Sequence, residues 1–63
     1  MNDVQIIKSI MVEDYYIVFK DGVRKGSIKR RGKKYILTLY YKVNFEKCFA
    51  ALVDAMQYAK EML

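Results

Sequence analysis

The sequence predicts an α+β fold, a four-stranded antiparallel sheet (a meander) followed by one C-terminal amphipathic helix packed on one face. Three observations predict it. Runs of β-branched and aromatic residues fill positions 4 to 43, an Asp21-Gly22 pair separates two of them, and after Asn44 the apolar spacing becomes helical. Sixty-three residues allow one domain, residues 1–63. A chain this short buries only about 60% of the surface its unfolded form exposes.

The first strand is expected over about 4–12, from Val4 through Ile6, Ile7 and Ile10 to Val12, with Glu13-Asp14 as a tight turn. The second covers 15–20. Asp21-Gly22 is the strongest hairpin signal, because a type I′ turn needs positive φ at both central residues. The third strand covers 23–30 and the fourth 34–43, joined through Arg31-Gly32-Lys33. Asn44 is the expected N-cap of a helix over about 45–62. Phe45, Phe49, Leu52, Val53, Met56, Ala59 and Leu63 define its apolar face. The helix's other side holds Ala51, Ala55, Tyr58 and Met62 among charged residues. Two readings stand for these four: alanine as a good helix former, or a helix-to-helix contact in a homodimer. The 54% hydrophobic content, high for a small domain, motivates the second.

Charge is concentrated. Seven of the twelve basic residues lie between Arg24 and Lys34, with no carboxylate among them: Arg24, Lys25, Lys29, Arg30, Arg31, Lys33 and Lys34. Elsewhere five lysines face seven carboxylates. Like charges this close repel one another and destabilise the compact state, so a polyanionic partner is the expected reason for them. Cations that keep an edge hairpin soluble are the plainer explanation.

Strand alternation predicts that Lys25, Ser27 and Lys29 share one face, while Arg24, Ile28 and Arg30 take the other. With Leu37 and Leu39 toward the helix, Thr38, Tyr40 and Lys42 join the open face. The candidate nucleic-acid-binding residues are Lys25, Ser27, Lys29, Arg30, Arg31, Lys33, Lys34, Tyr40 and Lys42. Cations supply charge against phosphates, and hydroxyls supply positioning hydrogen bonds. A two-stranded ribbon also fits the B-DNA major groove. The strand tyrosines Tyr15, Tyr16, Tyr35, Tyr40 and Tyr41 are read either as half-buried packing residues or as stacking platforms for unpaired bases.

The segment from Gly26-Ser27-Ile28-Lys29-Arg30-Arg31-Gly32-Lys33-Lys34-Tyr35 to Lys42 resembles the opening hairpin of the arm-type DNA-binding domains at the N-termini of phage and transposon tyrosine recombinases. That resemblance implies a three-stranded sheet backed by a C-terminal helix, with the sheet in the major groove. It implies contacts from Lys29, Arg31 and Lys33, and a packing role for Tyr35. The predicted elements depart from the pattern in two places. Two strands precede the hairpin, and the chain is read as passing directly into the helix where the family has a third strand.

Catalysis finds no support. There is no histidine, no acid pair in a promising motif and no glycine-rich phosphate loop, so neither enzyme activity, cofactor nor metal is expected. Lone Cys48 cannot form an internal disulfide, and its neighbours Phe49, Ala50 and Ala51 predict a buried or half-buried structural thiol in a reducing setting. No signal peptide and no apolar run of roughly 18 residues is found, so a soluble cytoplasmic protein without a membrane partner is expected, in the host cytoplasm if viral.

The sequence therefore supports a small basic nucleic-acid-binding protein that contacts phosphates through the 23–43 hairpin. Duplex DNA is favoured, with RNA or a single strand as further choices. An accessory or regulatory factor of a phage or mobile element is the expected setting. The alternative is a virally encoded inhibitor that binds a protein partner in a host or defence complex, for example a CRISPR complex.

Overall fold

The computed structural model describes residues 3–40 and 44–63, the side chain of residue 44 excepted. Five strands run in the order β1 (Val4–Lys8), β2 (Tyr15–Lys20), β3 (Val23–Arg31), β4 (Lys34–Tyr40) and β5 (Asn44–Phe49), and the helix α1 (Leu52–Met62) follows. They form one antiparallel sheet in sequence order, with β3 at its centre. The fold is thus α+β as expected, with one strand more and a shorter helix.

The hairpin turns explain where the strands stop. Asp21 and Gly22 both have positive φ, 52° and 81°, as a type I′ turn requires. At the β3–β4 turn Gly32 has φ 64°, beyond the closing pair Arg31 and Lys34. The first strand ends earlier than expected because Ser9 turns the chain. Its Oγ accepts hydrogen bonds from the N–H groups of Met11 (3.2 Å) and Val12 (3.1 Å). Its own N–H donates to the Tyr15 carbonyl at 2.8 Å. Residues 9–14 therefore form a loop in place of the last part of a strand.

The segment 44–49 is a strand, correcting the expected helix start and the N-cap role of Asn44. Phe45 and Phe49 are four residues apart, a spacing that satisfies both a helical face and strand alternation. In the sheet, Phe45 lies opposite Leu39, Lys47 opposite Leu37 and Phe49 opposite Tyr35. The true helix begins after Ala51, which is extended and gives no side-chain cap. Asp54 in the first turn and Lys60 in the last complement the helix dipole.

The core lies between the helix and one sheet face. Val18, Ile28, Leu37 and Leu39 are fully buried there beneath Ala55 and Ala59, whose small side chains let the helix approach closely. Leu52, Met56 and Leu63 complete the packing, as read from the sequence, but Val53 points away and is exposed. Tyr58 packs against Phe49, with ring centroids 5.3 Å apart, and stacks near Phe45 at 6.1 Å. Lys47 lies over the Tyr58 ring at 4.7 Å, which gives a cation a place on the covered face. Two of the four suggested dimer contacts are thereby corrected: Ala55 is buried against the sheet, and Tyr58 packs inward. Ala51 is half-buried at the helix start, and Met62 is exposed.

Candidate nucleic-acid interface

A β-bulge in the basic strand decides where its cations go. Val18 pairs with Gly26, but the next residue, Phe19, pairs with Arg24, so Lys25 is the extra residue. Gly26 makes the close approach possible, since a Cβ there would collide with the Thr38 carbonyl oxygen. The bulge reverses the expected alternation at its N-terminal end. Arg24 joins the uncovered face beside Phe19, while Lys25 turns to the helix side. There Lys25 lines an open cavity of about 410 Å³ with Lys20, Met62 and Leu63 among its neighbours. Lys20 Nζ donates to the Leu63 carbonyl at that end of the helix.

On the uncovered face, the register sets Tyr15, Lys29, Ile36 and Cys48 in one cross-strand row. Ile7, Ile17, Ser27, Thr38 and Glu46 form the next. Arg31 and Lys34 stand opposite each other at the tip, in step with Lys29 and Ile36. Four cations, Arg24, Lys29, Arg31 and Lys34, therefore share this face. They extend along the central strand and its turn for roughly 20 Å.

Arg24 is held by tyrosines. Its Nη2 donates to Tyr15 Oη at 2.8 Å and to Tyr40 Oη at 3.4 Å, and its guanidinium lies 5.8 Å from the Tyr40 ring centroid. None of these partners carries charge, so the positive field remains. Strand alternation missed Arg24; the lone glycine inside a predicted strand was the signal that marks a bulge.

The remaining candidates divide. Arg30 lies on the helix side, opposite Tyr35, and its Nη1 is 3.6 Å from Asp14 Oδ2, an ion pair with both side chains half exposed. Its Nε also donates to the Gly32 carbonyl at 3.0 Å. Lys33 is at the turn apex and exposed. Ser27 faces the open side but is buried, at 8% exposure, so its hydroxyl is not presented outward. Tyr40 is on the open face as expected. Tyr41 and Lys42 lie outside the described residues. Cys48 is exposed on this face, correcting the buried thiol.

Two features distinguish this face from a solubilised edge. Arg24, Lys29 and Arg31 sit on the central strand and Lys34 on its inner neighbour β4, where no edge needs guarding. Among the described residues, no carboxylate forms an ion pair with Arg24, Lys29, Arg31 or Lys34. Arg31 and Lys34 face each other directly, a like-charge pairing that weakens a sheet. Among the described residues, no helix is long and apolar enough to cross a membrane. Comparison with protein-family models, with curated proteins and with solved structures gives no match for this chain.

Proposed function

We propose that the protein binds the phosphate backbone of a nucleic acid, duplex DNA in the first place, through the open face of its sheet and the β3–β4 tip. The observation that carries this reading is the row of cations Arg24, Lys29, Arg31 and Lys34 on one sheet face, which among the described residues has no covering element and no carboxylate paired with them. Their mutual repulsion costs stability, and a polyanion offsets that cost. Tyr40, Thr38 and the tyrosine-held Arg24 supply positioning hydrogen bonds beside the charge. The likeness to arm-type domains lends support in that the last three of the five strands, β3 to β5, lead directly into the helix.

The role is accessory or regulatory: the protein holds a nucleic acid and carries out no reaction on it. An electrophoretic shift series with duplex DNA, single-stranded DNA and RNA across a salt gradient tests it. Duplex binding should weaken with a slope of about −0.9 in log K against log salt for each phosphate neutralised. Four open-face cations predict a slope of roughly −3.5. Absence of any shift at low salt for all three polymers rules the reading out.

A further inference from the structure

The loop between β1 and β2 presents bulky apolar side chains to water beside the cationic tip. Ile10 is 98% exposed and Met11 89%, and Val12 is exposed as well. These residues are not a loose tail. Ser9 Oγ accepts from the Met11 and Val12 N–H groups, and the Ser9 N–H closes onto Tyr15. At the far side of the loop, Asp14 has φ 54°, its carbonyl accepts from the Arg30 N–H at 3.0 Å, and its carboxylate pairs with the Arg30 guanidinium. The loop is thus fastened to the strand that carries Arg31 and the turn to Lys34. Such exposure of two large apolar side chains is unfavourable in water and calls for a partner that buries them.

We propose that Ile10 and Met11 form an apolar wedge that inserts between base steps of a duplex held by the open face, kinking it. This rests on the phosphate-binding reading above and adds to it a second, uncharged contact. Charge complementarity selects the partner: the loop carries Glu13 and Asp14, the latter paired with Arg30, but the turn at the same end of the sheet carries Arg31, Lys33 and Lys34, and this excess of positive charge selects an anionic partner. The shape of the charge selects further. The cations continue from the tip along β3 to Arg24, which suits a rod lying along the sheet face. A flat anionic membrane meeting the tip would leave Arg24 and Lys29 unused. Isoleucine and methionine are among the side chains that unstack base steps in this way, and the bent duplex then covers more protein surface.

The test uses the full chain, a 20-base-pair duplex labelled at both ends for energy transfer, and vesicles rich in phosphatidylglycerol. The variants are Ile10→Ser/Met11→Ser and Ile10→Leu/Met11→Leu, both keeping Ser9, with thermal melting to show that the fold is kept. The serine pair should bind the duplex about tenfold more weakly, given the apolar area it no longer buries, with the salt slope unchanged. It should also lose the shortening of the end-to-end distance that the parent protein causes, and the leucine pair should retain both. A serine pair that binds and bends the duplex like the parent overturns the wedge while leaving phosphate binding intact. A parent protein that shifts no duplex at any salt removes the phosphate reading and the wedge together. If the serine pair loses only vesicle binding, the loop is a membrane contact and the wedge is wrong.

Discussion

The two faces of the sheet are built from the same alternating strands and meet opposite demands. The helix side is closed by small residues: Gly26 lets β3 and β4 come together, and Ala55 and Ala59 bring the helix down on Val18, Ile28, Leu37 and Leu39. Three of its cations have partners, Arg30 with Asp14, Lys47 over Tyr58 and Lys20 with the Leu63 carbonyl. The other face mixes Ile7, Ile17, Phe19 and Ile36 with Arg24, Lys29, Arg31 and Lys34, and no element among the described residues lies over it. The packed core is on one side, and the run of cations along β3 and its turn is on the other. That division lets one face change for binding without loss of the fold.

Substitutions that break the comparison from the covered side should have the largest effects. Leu37→Ala empties a fully buried site and should lower the unfolding free energy by about 3 kcal/mol, read from urea denaturation. In a domain this small, that is most of its stability. Gly26→Ala drives a Cβ into the Thr38 backbone and should destabilise by about 2 kcal/mol, with the β3–β4 amides losing protection from hydrogen exchange. Arg30→Ala removes an exposed ion pair and should cost no more than about 0.5 kcal/mol in the same denaturation assay. On the open face, Lys29→Ala should shift stability by less than about 0.5 kcal/mol, in either direction.

Much of this architecture is legible in the residues, and the misreadings have physical causes. Asp21-Gly22 marks its turn because few other pairs accept positive φ twice, and the strands it joins fall where the β-branched runs place them. The Phe45-to-Phe49 spacing fits both strand and helix, and no glycine or proline interrupts Ala50-Ala51, so β5 merges in the sequence with α1. Ala55 and Tyr58 then appear to lie on an outer helix face, although they pack inward once the helix starts at Leu52. At the interface, simple alternation places Lys29 and Tyr40 on the open face, whereas Arg31, expected in the connecting loop, is the last residue of β3 and pairs with Lys34. Lys25 and Arg24 exchange faces because a single bulge shifts the count by one, and alternation carries no record of a bulge beyond the glycine beside it. Ser27 keeps its predicted face but is buried, which alternation alone does not reveal.

The most direct test of the central claim compares two charge-matched triple variants. Lys29→Ala/Arg31→Ala/Lys34→Ala removes three of the four open-face cations, while Lys25→Ala/Arg30→Ala/Lys60→Ala removes the same charge from the helix side. Duplex binding is measured for both across a salt series. The division of faces predicts that the first variant flattens the slope of log K against log salt by roughly 2.7, and the second by less than about 1. Equal losses from the two variants would mean that net charge alone drives binding, and would contradict an interface on the open face.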